Sequence, residues 1–396
     1  MVRPIRVNHV SGKPTFYEFF AGGGMARAGL GDGWQCLFAN DFDPKKAKSY
    51  RDNWEAEAGS AKVMQVGDIH DLTTTDLPGH ADLAWASFPC QDLSLAGNGK
   101  GLAGERSGAF WGFWDIIAKL GREGRAPSVL VLENVVGALT SNKGKDFAEL
   151  CRALKLLGYR YGAMVIDAVL FLPQSRPRLF IIAVKKRGEL PEFSYGASLQ
   201  PEWSSVALAR AWSALSPDLK KDWVWWRLSL PDRPVTPLIE LIEEAPTGVD
   251  WHAADHNKRL IAMMSDTNMA KLADAKRLGR RVVGTVYKRT REEKGGRRQR
   301  AELRFDGIAG CLRTPGGGSS RQIIMEVTGE RVRSRLLSSR EAARLMGLSD
   351  GYVLPGNYNE AYHLLGDGLA VPVVAHIANF LLKPLSSREH FLQAAE

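Results

Sequence analysis

A cysteine, three acids and a run of glycines are the residues of this 396-residue chain best placed by type and spacing to do chemistry together. Cys90 follows Pro89 and heads a stretch holding Gly97, Gly99, Gly101, Gly104 and Gly108. A thiol there is a poor core residue. As a nucleophile it makes sense, because a lid closing over a substrate can bring its thiolate into place. The alternative is a buried, inert thiol. Glu133 ends the apolar run 129–132, where partial desolvation would raise its pKa and let it donate a proton near neutral pH.

Gly22-Gly23-Gly24 lets the backbone approach a ligand where a side chain would block it. Asp41 suits the two hydroxyls of a ribose, or caps the next helix together with Asp43. Asp68 could accept from an adenine amino group. Together they point to an adenosine-containing cofactor. The glycine loop lacks the G-x-x-x-x-G-K-[ST] phosphate cradle, which disfavours ATP. It also carries Arg27 where G-x-G-x-x-G needs its last glycine. S-adenosylmethionine is therefore preferred to a dinucleotide.

These groups fall in turn after short apolar runs. Strands are expected at 15–20, 36–40, 63–66, 82–87, 128–132, 163–168 and 179–184, and helices at 44–58, 108–120 and 145–157. Strand alternating with helix reads as a doubly wound, mostly parallel α/β sheet of Rossmann-like type. In such sheets ligands bind at the carboxyl ends of strands, which is where the glycines, acids and cysteine lie. The pattern breaks near Lys185. A catalytic and cofactor domain is expected over 1–185, completed by about 356–396, with a smaller domain over 186–355. Ser338-Ser339-Arg340-Glu341 has the form of a helix capping box, and 369–382 reads as helical.

The motifs Phe20-x-Gly22-x-Gly24, Phe88-Pro89-Cys90-Gln91, Glu133-Asn134-Val135, Gln174-x-Arg176-x-Arg178 and 340–347 appear in that order. Together they resemble the ordered motifs of the bacterial-type DNA cytosine-5 methyltransferases. The resemblance implies an S-adenosylmethionine-dependent methyltransferase domain with a small target-recognition domain, releasing S-adenosylhomocysteine and needing no metal. It implies that Cys90 attacks C6 of a flipped-out cytosine, that Glu133 bonds N3, and that Arg178 and Arg176 steady the base. For the cofactor it implies Phe20, Gly22, Gly24, Asp41, Phe42, Asp68, Ile69, Pro89 and Asp367. For DNA it implies Gln91, Ser94, Arg297, Arg298, Arg300, Arg313 and Gly317. The chain departs from the family pattern at Met25, Asp41, Cys311 and Asp367.

The bulk properties set the partners. Net charge is +9, and 276–304 alone holds twelve Lys or Arg against Glu292, Glu293 and Glu302. A polyanion is the expected partner, the bland alternative being a solvated loop. The cysteines Cys36, Cys90, Cys151 and Cys311 are scattered, which argues against a zinc site or a disulfide framework. No run of about eighteen apolar residues stands out and the first twelve residues do not read as a secretory signal, so no membrane partner is expected. A cytoplasmic, prokaryotic, nucleoid-associated monomer acting on duplex DNA is expected; a cognate restriction endonuclease acting separately and an enzyme acting alone in regulation are both open. Two rivals remain: a transfer-RNA methyltransferase of the same fold, and a catalytically dead DNA-binding module.

Overall fold

The computed structural model describes residues 12–56, 59–89, 108–186, 189–232, 234–293, 296–313 and 321–386. Seven strands form the main sheet: β1 (Thr15–Phe19), β2 (Gln35–Asp41), β3 (Met64–Val66), β4 (Leu83–Ala86), β5 (Val129–Val135), β6 (Tyr159–Asp167) and β7 (Pro177–Lys185). Their order is β3-β2-β1-β4-β5-β7-β6. The chain reverses its direction of travel across the sheet between β1 and β4, which are parallel neighbours. That switch point is where a doubly wound sheet opens a crevice for a ligand. The run 129–132 continues as strand to Val135, so Glu133 lies within β5.

β7 alone is inverted, pairing antiparallel with both β5 and β6. Its first residues therefore stand at the carboxyl end of β5, with Arg178 opposite Val135. Both faces of the sheet are covered, so the central strands read as continuous apolar runs. Phe16, Trp85, Val131 and Phe180 face one core, whereas Phe19, Ala84, Leu132 and Ile181 face the other. Helix α1 (Met25–Leu30) follows the glycine loop, and α2 (Pro44–Trp54), α3 (Ala109–Arg122) and α4 (Lys145–Leu156) lie close to the helices expected. Asp43 caps α2 by accepting from the Lys45 amide at 2.8 Å.

The boundary of the smaller unit differs from expectation. Beyond β7, the short strands β8 (Tyr195–Gly196) and β9 (Trp225–Trp226) and helices α5 (Val206–Ser213), α6 (Pro217–Lys220) and α7 (Leu238–Leu241) pack on the main sheet. Trp226 donates its indole N–H to the Ile182 carbonyl at 3.1 Å. The tryptophans Trp203 and Trp226 are thus core of the large unit. A separate core forms from α8 (Ala254–Ala262), α9 (Asp266–Arg277) and an antiparallel sheet of order β11-β10-β12-β13. Those strands are β10 (Val282–Glu293), β11 (Gly296–Arg304), β12 (Ile323–Thr328) and β13 (Arg331–Leu336). The smaller core therefore draws on elements within 254–336 rather than 186–355, while Val283 and Ile324 of its sheet pack in the core of the large unit.

The chain then rejoins the large unit. Ser338 and Glu341 form the expected capping box at the start of α10 (Ser339–Leu345). Helices α11 (Tyr358–Asp367), α12 (Val371–Ile377) and α13 (Lys383–Leu385) follow, with a π-turn at Ala378–Leu382. Contrary to expectation, Tyr358–Leu385 is long and apolar enough to cross a membrane by length and composition. Most of its apolar residues are core: Leu365, Val374, Ile377, Leu381 and Leu382 are fully buried in the cluster that holds α1, whereas Phe380 is half exposed.

Candidate active site

The carboxyl ends of β1, β2, β4 and β5 open on one cavity of about 350 Å³. Expected residues Phe20, Gly22, Asp41, Phe42 and Pro89 line it, as do Glu133, Arg178 and Asp367. Phe20 has φ of 57°, a left-handed conformation that a bulky side chain adopts only under constraint. The constraint is visible around it. The Gly23 carbonyl accepts from the Tyr352 hydroxyl at 2.8 Å and the Trp54 indole at 3.2 Å. At Gly24, φ is 78° and a Cβ would sit 2.3 Å from the Trp54 indole nitrogen, so only glycine fits.

Asp41 closes this loop from below. Its carboxylate accepts from the backbone N–H of Gly22 at 2.8 Å and of Asp43 at 2.9 Å. Burial raises its pKa against those two bonds. Helix capping is left to Asp43, so Asp41 is free to face the cavity with its remaining lone pairs. Asp367 pairs with Lys46 at 2.8 Å on the opposite rim. Phe42 lines the cavity with its ring 67% exposed.

Glu18 is the residue that sequence reasoning missed. It is 1% exposed, lines the cavity, and its Oε2 has no hydrogen-bond partner. Burial pushes its carboxyl up to about 8, against the opposing Arg27 charge and backbone amides of Arg27 and Ala26. An unpaired buried carboxylate oxygen calls for a cationic or proton-donating ligand group. The amino-acid end of S-adenosylmethionine carries such an ammonium, so these residues fit that cofactor. The available signal was an acid inside an apolar strand buried on both faces.

Glu133 and Arg178 project from the same sheet face. The Arg178 Nε lies 3.1 Å from Glu133 Oε1, with both side chains largely buried. Burial raises the Glu133 pKa, opposed by Arg178, Arg176 and a bond with Ser87. Asn134 donates to the Phe88 carbonyl at 3.0 Å, tying β5 to the segment that leads into Pro89. Cys90 itself lies outside the described residues, with Gln91, Ser94 and Gly317. Burial pushes the Cys36 thiol up to about 12 and raises Cys151 as well, so neither is a ready nucleophile.

Other expected site residues do not face the cavity. Arg176 is 1% exposed and donates to the carbonyls of Leu312 at 3.0 Å, Gly366 at 2.7 Å and Gly368 at 2.5 Å. It also contacts the Cys311 sulfur at 3.3 Å. A guanidinium so engaged ties the start of β7 to the segments at 311–312 and 366–368 and does not line the cavity, whereas Arg178 does. Asp68 is exposed, caps a short 3-10 turn at Ile69–Asp71 and pairs with His70 at 2.7 Å. Ile69 is buried against Gly112 on α3. Arg297, Arg298 and Arg300 lie on β11, and Arg313 is exposed two residues past Cys311.

The model of the C-5 cytosine-specific DNA methylase family matches residues 14–383. The chain is 26% identical to the type II methyltransferase M.HpaII of Haemophilus parainfluenzae, covering 95% of this chain and 91% of that one. It is also 26% identical to M.HhaI of Haemophilus parahaemolyticus, covering 92% of each. Among solved structures it resembles Dnmt2 methyltransferase of S. pombe, with TM-score 0.57, 18% identity, and coverage of 94% of this chain and 99% of that one. That structural likeness concerns the fold. The sequence match reaches further: the chain belongs to the C-5 cytosine-specific DNA methylase family and is a DNA cytosine-5 methyltransferase.

Proposed function

We propose that this chain methylates C5 of a cytosine flipped out of duplex DNA, through a covalent bond between the Cys90 sulfur and C6. The observation that carries the reading is the buried Glu133–Arg178 pair, set beside Pro89 in the cavity that also holds Glu18 and Asp41. When bound, S-adenosylmethionine supplies an electrophilic methyl group and leaves as S-adenosylhomocysteine. Glu18 would hold its ammonium, Asp41 its ribose, and Phe20 and Phe42 its adenine.

The remaining work belongs to the protein. A cytosine in a duplex cannot enter a cavity of this kind, so the base must leave the stack. As the Cys90 thiolate adds to C6, electron density moves through the ring toward N3 and C5. A protonated Glu133 donates to N3 and disperses that charge, and the raised pKa from burial favours this protonated form. Arg178 holds the Glu133 carboxyl in place and lowers its pKa enough for the proton to be shared. C5, made carbanion-like, accepts the methyl group. Loss of the C5 proton to a base then expels the Cys90 thiolate and restores the aromatic ring.

The type II relatives suggest a restriction-modification setting, with an endonuclease acting separately. We read the protein as a cytoplasmic monomer on DNA, with phosphates held by Arg297, Arg298, Arg300 and Arg313. The test is methyl transfer from labelled S-adenosylmethionine to duplex DNA and, in parallel, to transfer RNA. Label at cytosine C5 of the duplex alone supports the proposal. Label confined to transfer RNA, or to neither, overturns it.

A further inference from the structure

The hairpin of β10 and β11 extends beyond its sheet. β10 pairs with β12 only from Val282 to Val286, whereas it pairs with β11 as far as Glu293. From Tyr287 onward two strands continue alone for seven residues, about 20 Å at ~3.4 Å per residue. An unsupported ribbon of that length is not made for packing. Two-stranded ribbons fit the ~12 Å major groove of B-DNA.

One face of the ribbon is an arginine ladder. Arg289 stands opposite Arg300, and Arg291 opposite Arg298. Like charges directly opposite on a sheet are destabilising, so such pairs signal an anionic partner. On this face Glu302 sits opposite Tyr287 and is bonded to Arg289 at 3.3 Å and to the Arg291 Nε at 2.6 Å. One carboxylate thus orients two guanidinium forks that remain about half exposed. Tyr287, at the root of the ladder, donates to the Cys311 carbonyl at 2.6 Å. The Cys311 sulfur contacts Arg176, whose other bonds reach Gly366 and Gly368 on the cavity rim. The ladder therefore grows from the side of the small unit that meets the active site.

We infer that the β10–β11 ribbon enters the major groove beside the target cytosine, where Arg289 and Arg291, pre-oriented by Glu302, read guanine. Arg298 and Arg300 on the facing strand bind phosphate. The inference rests on the reading of duplex DNA as substrate. Arginine is suited to the first task because its planar fork bonds O6 and N7 of guanine together, and a carboxylate behind it fixes the plane of the fork. Phosphate contacts position without specifying, so the two pairs should behave differently on mutation.

The experiment is methylation of a randomised duplex library, with C5 positions read by sequencing, beside salt-dependent binding of the wild-type consensus. Arg289→Ala and Arg291→Ala should each lose roughly 5- to 150-fold discrimination at a guanine of the consensus while other positions stay unchanged. Glu302→Gln keeps every arginine and should relax the same guanines. Arg298→Ala and Arg300→Ala should keep the consensus and lower the salt slope by about 0.9 for each phosphate no longer neutralised. These side chains lie outside the hydrophobic cores, so thermal melting of each variant checks that it is folded. A consensus unchanged in Arg289→Ala, Arg291→Ala and Glu302→Gln overturns the inference, whether or not binding weakens. Wild type that methylates no duplex in the library refutes the underlying substrate reading instead.

Discussion

Glu133 and Arg178 meet at 3.1 Å because β7 runs against β5, which brings the start of one strand to the end of the other. The pair sets opposing demands on one carboxyl. Burial raises its pKa and the guanidinium lowers it. The rate step that uses protonated Glu133 should fall as pH rises through this raised pKa. Arg178→Ala removes the lowering charge, so the alkaline limb of kcat against pH should move to higher pH while kcat itself drops. A limb that stays in place would separate Arg178 from Glu133.

Glu133→Ala should reduce kcat by roughly 10²- to 10⁴-fold, the range for losing a positioned proton donor. Cofactor affinity should hold, because the contacts expected for the cofactor lie on other loops. Glu133→Gln retains an N–H donor and should be the milder variant, with a flattened alkaline limb. Calorimetry and initial rates on both variants check this.

Glu18 predicts a proton linked to cofactor binding. Its carboxyl is pushed up to about 8, so at neutral pH it is mainly protonated without ligand. An arriving ammonium favours the charged form, and binding should release up to about one proton near pH 7. Titration calorimetry in buffers of different ionisation enthalpy measures that number, and Glu18→Gln should abolish it. The same raised pKa acts on stability. The neutral form is the one the fold accommodates, so this contribution is intact below about 4.5 and is lost as pH rises through about 8. Glu18→Gln should flatten that slope.

Much of the site was legible because the sheet imposes order. Once parallel strands alternate with helices, whatever follows them must gather at one edge, and Gly22, Asp41, Pro89 and Glu133 do. Side-chain direction at the next residue or two was not legible. Asp68 follows β3 as expected, yet it turns outward to cap Ile69–Asp71. Arg176 and Arg178 lie on the same side of the chain, but the loop before β7 buries the first under Gly366 and Gly368 and points the second at Glu133. The extent of the smaller unit was hard to read for a related reason. Trp203 and Trp226 fall in an irregular stretch, and only tertiary packing shows that they cover the main sheet.

The two arginines should part company on mutation. Arg176→Ala leaves three buried carbonyls without a donor and should destabilise the protein by roughly 2–4 kcal/mol in denaturant unfolding. Arg176→Lys keeps the charge but lacks the planar fork that reaches the carbonyls of Leu312, Gly366 and Gly368 together, and should recover only part of the loss. Arg178→Ala should leave the unfolding midpoint much closer to wild type. Equal destabilisation by both would contradict the division of roles.

Asp41→Ala should weaken S-adenosylmethionine binding by roughly 1–3 kcal/mol, since it removes a charged acceptor and unties Gly22. The rate at saturating cofactor should change much less. Unchanged affinity in calorimetry would reduce Asp41 to a brace for the glycine loop.

The central claim is covalent attack by Cys90, and a trapped adduct tests it most directly. Duplex DNA carrying 5-fluorocytosine at the target blocks the last step, because fluorine cannot leave as a proton does. Incubated with S-adenosylmethionine, the enzyme should form a denaturant-stable complex in which mass spectrometry of the peptides places methylated fluorocytosine on Cys90. Cys90→Ala should form none, yet bind the cofactor as wild type does. Substantial C5 methylation by Cys90→Ala, or an adduct mapped to Cys311, would contradict the account.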